Sequence, residues 1–376
     1  MSEPLSKIPA GMRYFSGTEA RLRRAIEATI ISIFGGWSYE EITTPTIDYY
    51  SLFEHGMGHS QAHRAFRFSD TDGRLLAIRP DVTSLVARAA ATLFAERERP
   101  LRLCYVAPVF RQQPQSHAEW RRESSQIGCE LIGTNSEAAD LELLAIVCEV
   151  LRRLDLDQHC SITLNDVEVF NGIAEELMLD STARDDMREL VDARNTADLE
   201  RFLTQFTSAA TGHALAQLTR LSGKRQTLND AREMITNKKF HAGLDRLGRL
   251  WSVIEALALS DRFEIDLGDV SRLDYYTGLT FKIYVEGAGV RIGGGGRYDG
   301  LTASFGKPEP AVGFVLELDA LTELLLRRSS QTTLLRGENT DATPVTGKDL
   351  ATLFRAATKQ REAGERVVIA ASEVRL

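Results

Sequence analysis

The spacing of apolar and polar residues predicts an amphipathic helix near the start of the chain. Within Leu22–Phe34, apolar side chains recur every three or four residues, which places them on one stripe of a helix. Ser16–Glu19 has the spacing of a capping box, and Gly35-Gly36 predicts the end of the helix. The next apolar run, Ile42–Tyr50, contains Pro45, so we predict an edge strand or a strand end there.

Short β-rich runs predict antiparallel strands over much of the remaining chain. Asp72-Gly73 is a hairpin turn signal, and the polar segment Arg111–Glu123 separates two long runs, so we predict two hairpins. The predicted strands are Arg67–Phe68, Arg74–Ile78, Leu101–Phe110, Ser124–Ile132, Ser161–Asn165, Arg262–Leu267, Leu279–Val285, Val290–Ile292, Ala311–Leu316 and Val367–Ala370.

Helical periodicity returns between these strands and after them. The predicted helices are Ser84–Glu96, Glu137–Leu154, Leu318–Arg327 and Leu350–Glu362. We therefore predict an α+β fold, an antiparallel sheet flanked by helices. We divide the chain into two core parts, an insertion without convincing strands, and a short C-terminal segment that begins with a polar linker at 328–346. The boundaries are 1–168 and 261–328 for the core, 169–260 for the helical insertion, and 329–376 for the C-terminal segment.

Composition excludes several classes of protein. The chain has 376 residues, 43% hydrophobic and 26% charged, so it can bury a sizeable core in two or three domains. Its net charge of -8 argues weakly against a nucleic-acid partner. Four scattered cysteines are typical of a reducing cytosol. The sequence has neither a signal-peptide pattern nor a membrane-spanning run, so we expect a cytoplasmic protein.

Several polar residues could form a binding site if the fold brings them together. The run Ile292–Leu301 contains four consecutive glycines, which predicts either a close approach to the backbone or a flexible turn. Gln126, Glu130 and Asp274–Tyr276 offer an amide, carboxylates and phenols, which suit an ammonium group and an imidazole. Arg79–Thr83 adds a carboxylate and a hydroxyl, although a helix N-cap is the simpler interpretation of that segment.

A metal site is a weaker hypothesis. His55, His59 and His63 would lie on one face of a continuous helix, but Gly56 and Gly58 should break that helix. We therefore predict a mobile polar loop there and no metal site. No Ser/His/Asp or Cys/His arrangement indicates a nucleophile, and we expect no cofactor.

Taken in order, the segments resemble the catalytic core of class II aminoacyl-tRNA synthetases, and of histidyl-tRNA synthetase in particular. Tyr105–Arg111 with Gln126–Gly133 is similar to motif two of the histidyl enzymes, and Ala311–Phe314 opens a segment similar to motif three. Leu273–Tyr276 and Gly295–Leu301 resemble two histidyl signatures. The similarity covers most of the chain and implies a class II synthetase-like antiparallel sheet.

The resemblance also implies a site for the amino acid histidine. Asp81, an aspartate where the synthetases have glutamate, and Thr83 would hold the α-ammonium group, with Gln126 nearby. Glu130 and Tyr276 would hydrogen-bond the imidazole. The residues at matching positions are Asp81, Thr83, Arg111, Gln126, Glu130, Tyr275 and Tyr276.

Residues that activate the amino acid in the synthetases differ in this chain. The replacements at those positions are Gln113, Ser271, Glu317 and Ala320. One lost charge-stabilising donor typically costs ~10² to 10³ in rate, so the resemblance implies that the chain is not an active enzyme. With Ser271 in place of an arginine, the histidine carboxylate would need Arg111, Arg272 or a backbone amide as its partner.

This combination resembles the histidyl-tRNA synthetase paralogues that act as regulatory subunits of ATP phosphoribosyltransferase. That family implies a non-catalytic subunit that assembles into a hetero-oligomer with a short-form catalytic subunit. The non-catalytic subunit activates its partner and confers feedback inhibition by L-histidine. Ile42–Phe53 is similar to the dimer-forming motif one, which implies self-association. The short C-terminal segment implies that an anticodon-binding domain is absent or vestigial, and we expect no tRNA partner. An active histidyl-tRNA synthetase, or a histidine-sensing paralogue that regulates another enzyme, remains an alternative.

Overall fold

The computed structural model describes residues 5–112, 121–270, 273, 275–328, 343–345 and 350–369. These residues form two compact units, divided between residues 332 and 333, and each is described by itself. Within the described ranges, no helix has the length and apolar composition that crossing a bilayer requires.

The first unit contains twelve strands among its described residues. They are β1 (Glu40–Glu41), β2 (Ile47–Tyr49), β3 (Arg67–Ser69), β4 (Leu75–Ile78), β5 (Leu101–Phe110), β6 (Glu123–Ile132), β7 (Cys160–Asp166), β8 (Ser222–Gly223), β9 (Phe263–Asp266), β10 (Leu279–Val285), β11 (Gly293–Arg297) and β12 (Ala311–Glu317). Nine of these strands form one sheet in the order β1-β5-β6-β12-β11-β10-β7-β9-β8, and β2-β4-β3 form a second sheet.

Helices surround both sheets. They are α1 (Gly17–Gly36), α2 (Tyr50–Met57), α3 (His59–Ala62), α4 (Thr83–Ala91), α5 (Glu137–Arg153), α6 (Val167–Glu176), α7 (Ser181–Asp192), α8 (Thr196–Leu203), α9 (Ala209–Leu218), α10 (Gln226–Arg232), α11 (Lys238–Ala256) and α12 (Leu318–Arg327). The large sheet is mixed, because β1 pairs parallel with β5 and β7 pairs parallel with β9, while its central pairs are antiparallel. The predicted α+β class is confirmed.

The two faces of the large sheet have different roles. On one face, Phe314 of β12 contacts Phe34 of α1 edge to face, with ring centroids 5.9 Å apart, and Phe281 lies 6.4 Å from Phe314. Helix α1 packs against both α5 and α12, and all three helices contact this face. On the opposite face, directly paired residues place Glu130, Gly313, Gly296 and Thr280 in one row across four strands. That row is the base of the cavity described below.

A buried arginine fixes the small sheet to the large one. Arg79 is 5% exposed and donates to the Pro108 carbonyl at 2.7 Å and to the Thr44 carbonyl at 2.8 Å. Burial lowers its pKa, and several carbonyl partners compensate for the lost hydration. Because Arg79 is two residues before Asp81, these contacts also fix the turn that leads into α4.

Two predictions about the first half of the chain need correction. The segment 55–63 is not a mobile loop: it forms α2 and α3, and only Gly58, with φ of 83°, separates them. Ser16 has the extended backbone of an N-cap, but its side chain makes no capping hydrogen bond among the described residues, and α1 continues through Gly36. Tertiary packing of Phe53 and Met57 in a buried cluster stabilises α2 despite its glycine.

A third correction concerns the glycine run. The strand predicted at Val290–Ile292 is displaced to Gly293–Arg297, which pairs with both β10 and β12. Glycine has low strand propensity, so local sequence favours its β-branched neighbours, whereas the neighbouring strands supply the pairing. Of the two interpretations of the glycines, a flexible turn is not observed. Instead, neighbouring residues approach the glycine backbone closely.

The region between β7 and β9 contains six helices, α6 to α11, among its described residues. One feature was not predicted: Ser222–Gly223 forms the two-residue strand β8 on β9. Helix α7 ends at Asp192, which lines the cavity above the row of Glu130, Gly313, Gly296 and Thr280.

The second unit contains one helix and two strands among its described residues. Strand β13 (Thr343–Val345) pairs parallel with β14 (Val367–Ile369), and α13 (Leu350–Glu362) connects them. Val345, Leu353 and Ala357 form its buried cluster. The sequence predicts a polar linker at residues 343–345, and this part of the prediction is wrong. The strand forms because of a parallel partner more than twenty residues downstream, which the local sequence does not indicate.

Candidate ligand-binding site

One cavity lies on the open face of the large sheet. It offers about 120 Å³ in which the centre of a water molecule fits, several times the ~10–15 Å³ that one water needs. The structure brings all seven residues that the resemblance selected to its lining: Asp81, Thr83, Arg111, Gln126, Glu130, Tyr275 and Tyr276. They come from the start of α4, the residue after β5, strand β6 and the segment before β10, so only the folded chain assembles them.

Glu130 lies at the bottom of this cavity and is surrounded by hydroxyl groups. Its side chain is 1% exposed and accepts hydrogen bonds from Thr83 Oγ1 at 2.8 Å, Tyr105 Oη at 3.2 Å and Tyr298 Oη at 2.6 Å. Burial raises the pKa of Glu130 to about 8, although the hydroxyl donors act in the opposite direction. A carboxyl group with this pKa can donate to an imidazole nitrogen when protonated, or accept from an imidazole N–H when ionised.

The raised pKa predicts a specific pH dependence of stability. In the unfolded chain the Glu130 pKa returns to ~4.3. Between that value and about 8 the folded protein binds more protons, so the Glu130 contribution to the free energy of unfolding falls as pH rises, by ~1.4 kcal/mol per pH unit. Glu130→Gln should remove this slope, which denaturant titrations at pH 5 and pH 8 would measure. A difference between the two proteins that does not change with pH would contradict the prediction.

Asp81 combines a structural role with a place in the cavity. Its Oδ2 accepts hydrogen bonds from the backbone N–H and the hydroxyl of Ser84, both at 3.0 Å, and so it satisfies a backbone donor in the first turn of α4. Burial raises the pKa of Asp81, while Arg111 and the Ser84 hydrogen bonds lower it. Thr83 was expected to hold an ammonium group, but here its hydroxyl donates to Glu130.

Three aromatic rings form the wall above Glu130. The centroids of Tyr275 and Tyr276 are 4.7 Å apart, and those of Tyr275 and Tyr298 are 5.6 Å apart, in edge-to-face arrangements. Burial raises the pKa of Tyr276 above its usual value, so its phenol stays protonated at neutral pH. Such a wall suits a flat, partly polar ring.

The opposite end of the cavity is polar, and its arginine and glutamine side chains make hydrogen bonds within the protein. Arg111 donates to the Pro80 carbonyl at 3.1 Å, and Gln126 Nε2 donates to Glu317 Oε1 at 3.0 Å. Glu317 and Arg111 also line a neighbouring cavity, together with Ala320. The predicted positions Gln113, Ser271, Arg272 and Asp274 lie outside the described residues.

The base of the cavity is backbone rather than side chain. A Cβ atom on Gly313 would lie 1.6 Å from Glu130 Oε2, and one on Gly296 would lie 2.9 Å from the Tyr276 ring. These two glycines therefore leave the space that the Glu130 carboxyl and Tyr276 occupy. Gly294, on the same face, leaves open the space beside Lys282 of β10.

Sequence reasoning missed Tyr105 and Tyr298 as members of the site. Their hydroxyls reach Glu130 only because of strand register: Tyr105 lies directly opposite Gly128, whose added Cβ would meet the Tyr105 hydroxyl at 2.6 Å. A strand glycine opposite an aromatic residue is the signal that could have identified Tyr105. In the part of the chain that the structure describes, no cluster of His, Cys, Asp and Glu could hold a metal.

Comparisons with known proteins agree with this architecture. The family model of histidyl-tRNA synthetase matches residues 11–321. The ATP phosphoribosyltransferase regulatory subunit of Moorella thermoacetica is 36% identical over 365 residues, which are 96% of this chain and 92% of that protein. A crystal structure from Bacillus halodurans, described as an ATP phosphoribosyltransferase regulatory subunit/histidyl-tRNA synthetase, has a TM-score of 0.83 and 28% identity and covers 98% of this chain and 93% of its own.

A more distant structure supports the fold alone. Histidyl-tRNA synthetase from Nostoc sp. superposes with a TM-score of 0.77 at 21% identity, covering 100% of this chain and 88% of that one. The class II synthetase-like sheet is thus common to both groups of relatives, while the higher identity lies with the regulatory subunits. The chain belongs to the family of ATP phosphoribosyltransferase regulatory subunits, which share the fold of histidyl-tRNA synthetase.

Proposed function

We propose that this chain is a non-catalytic regulatory subunit that assembles with the short-form catalytic subunit of ATP phosphoribosyltransferase, the first enzyme of histidine biosynthesis. It activates that subunit and transmits feedback inhibition by L-histidine, which binds in the cavity above Glu130. The observation that carries the proposal is the convergence of the seven selected residues on one cavity. The names of the relatives support the choice of partner.

The chemistry of the cavity suits histidine in particular. An imidazole has two ring nitrogens that both need partners, and Glu130 beside Tyr276 offers groups that donate or accept. Asp81 supplies negative charge for the α-ammonium group, and Gln126 supplies an amide beside it. Feedback requires histidine to bind one arrangement of the complex more tightly, and a coupling free energy of about 1–3 kcal/mol would change activity roughly 5- to 150-fold.

The neighbouring cavity supports the absence of amino-acid activation. Glu317 places a carboxyl group where the synthetases have a glycine that makes room for adenine, and Ala320 replaces the arginine that grips ATP. The Glu317 side chain is held there by its hydrogen bond with Gln126. A side chain at this position takes up the space that adenine would need, so it disfavours bound ATP.

An exposed apolar face supports self-association. Tyr49, Leu76 and Phe68 lie directly opposite one another across the small sheet, and Ile47 lies on the same face. Ile47 is 48% exposed, Phe68 40% and Tyr49 38%. Ile47 and Tyr49 of this face belong to the motif one region, and we propose that a second copy of the chain covers the face.

The experiment that tests the proposal is reconstitution. The purified chain is added to a short-form catalytic subunit with ATP and phosphoribosyl pyrophosphate, and product formation is followed with and without L-histidine. We expect a stable complex, a higher rate than the catalytic subunit alone, and inhibition of that rate by histidine. Failure to form the complex, or to raise the rate, would refute the proposal.

The same protein preparation separates the alternatives. Histidine-dependent pyrophosphate exchange or tRNA aminoacylation by the chain alone would identify an active synthetase. Histidine binding without any effect on phosphoribosyl transfer would instead identify a histidine sensor with another partner. Neither result is expected for a regulatory subunit of this enzyme.

A further inference from the structure

A zwitterionic amino acid needs a cation for its carboxylate, and the cavity contains a candidate that the resemblance does not select. Four cationic side chains line it: Arg64, Arg111, Lys282 and Arg291. Lys282 differs from the arginines because it projects from the sheet itself, on β10, opposite Gly294 of β11. It is one row away from Thr280, which belongs to the row of Glu130.

The position of Lys282 fits the length of the ligand. Glu130 and Lys282 lie on strands three steps apart and in adjacent rows, which separates their Cα atoms by about 16 Å. Extended side chains of four and five bonds reach ~5 and ~6 Å, so the distance between the carboxyl and ammonium groups can range from roughly 5 Å to about 16 Å. A histidine molecule spans about 5 Å from imidazole to carboxylate and needs a hydrogen bond of ~2.8 Å at each end, so it requires about 10–11 Å, which lies within that range. The glycines at 294, 296 and 313 leave the surface between the two side chains open.

Lys282 also has unused hydrogen-bonding capacity. Its ammonium group pairs with Asp269 and donates to the Val270 carbonyl at 3.3 Å. An ammonium group has three donors, and its third N–H has no partner among the described residues. Asp269 is not dependent on Lys282 alone, because the hydroxyl of Thr163 also donates to it. The lysine can therefore turn to a ligand while Asp269 remains hydrogen-bonded.

We propose that Lys282 binds the α-carboxylate of the effector and that Asp269 holds this lysine in place and competes for it. The inference rests on the proposed function, and it names the group that replaces the arginine missing at Ser271. Lys282 thereby distinguishes histidine from an amine that has the same imidazole ring, since only histidine has a carboxylate to bind.

Calorimetric titration with L-histidine and with histamine, which lacks the carboxylate, tests the proposal. The double variant Lys282→Met/Asp269→Asn removes both charges of the pair, so no buried charge is left alone. We expect its histidine affinity to fall about tenfold and its histamine affinity to stay within about twofold of the unaltered protein. A matched control is Lys239→Met, which removes an exposed, paired lysine from α11 and should change neither affinity.

The single variant Asp269→Asn should change the histidine affinity in the opposite direction. It keeps an acceptor for Thr163 but frees the lysine from its competitor, so we expect tighter histidine binding and unchanged histamine binding. A double variant that keeps the full preference for histidine over histamine would overturn the role of Lys282. An unaltered protein that binds no histidine would overturn the proposed function as well, so the two failures are distinguishable.

Discussion

Gly313→Ala should abolish histidine binding in the measurable range, with a loss of affinity on the order of 100-fold or more. The added methyl group would lie 1.6 Å from Glu130 Oε2 and 2.8 Å from the Cys129 carbonyl. Strand β12 is paired on both sides, so its backbone cannot move away, and the Glu130 carboxyl must leave its three hydroxyl partners. Overpacking of this kind also costs about 1–3 kcal/mol of stability. Calorimetry and denaturant unfolding would measure both effects.

The controls for this prediction use the same chemical change. Gly35→Ala adds a methyl group in α1, where nothing lies within 4 Å, so histidine affinity should not change and stability should rise by ~0.5–1 kcal/mol. The double variant Gly313→Ala/Glu130→Ala removes the clash with the carboxyl group but keeps the 2.8 Å contact with the Cys129 carbonyl, so it should recover part of the lost stability but not the affinity. Wild-type histidine affinity in Gly313→Ala would show that the ligand does not contact Glu130.

Glu130→Ala should weaken histidine binding by ~1–3 kcal/mol, about 5- to 150-fold, because the imidazole loses its buried partner. The concentration of histidine that halves phosphoribosyl transfer by the reconstituted complex should rise by a similar factor. Complex assembly, followed by size-exclusion chromatography, should not depend on this buried side chain, which is 1% exposed.

Two further variants separate the carboxyl group from its volume. Glu130→Gln keeps the shape but only one of the two acceptor oxygens, so its amide N–H must donate either to Tyr298 or to the hydroxyls of Thr83 and Tyr105. Loss of affinity in this variant reports the carboxyl group and not its volume. Glu286→Ala removes a glutamate that is 80% exposed and should leave binding unchanged. Unchanged affinity in both Glu130 variants would place the effector site elsewhere.

Much of the fold follows from local sequence where the periodic signal is strong. Leu101–Phe110, Leu279–Val285 and Leu318–Arg327 were predicted with the boundaries that the structure shows. In these segments, propensity and burial pattern agree, so the tertiary structure does not need to override either one. The glycine strand Gly293–Arg297 was misplaced because its pairing comes from β10 and β12 and not from its own residues.

The local sequence predicts the site less well than it predicts the fold. The seven selected residues came from a resemblance to a family, since no spacing along the chain predicts that Asp81, Glu130 and Tyr276 meet. Lys282 and Tyr298 depend on sheet register, and a register shift of one residue would turn either side chain to the opposite face. Only the assembled sheet places these groups beside Glu130.

The bare backbone at Gly294, Gly296 and Gly313 has a consequence for the entropy of binding. A ligand resting on these residues restricts no side-chain rotamers, whereas each long side chain that it immobilises costs ~0.5–1.5 kcal/mol. The entropic cost of occupying the cavity therefore falls on the ligand and on the few mobile groups at the rim, Lys282 and the arginines among them. This surface is preorganised: its order is established when the protein folds, so binding a small effector does not have to order it.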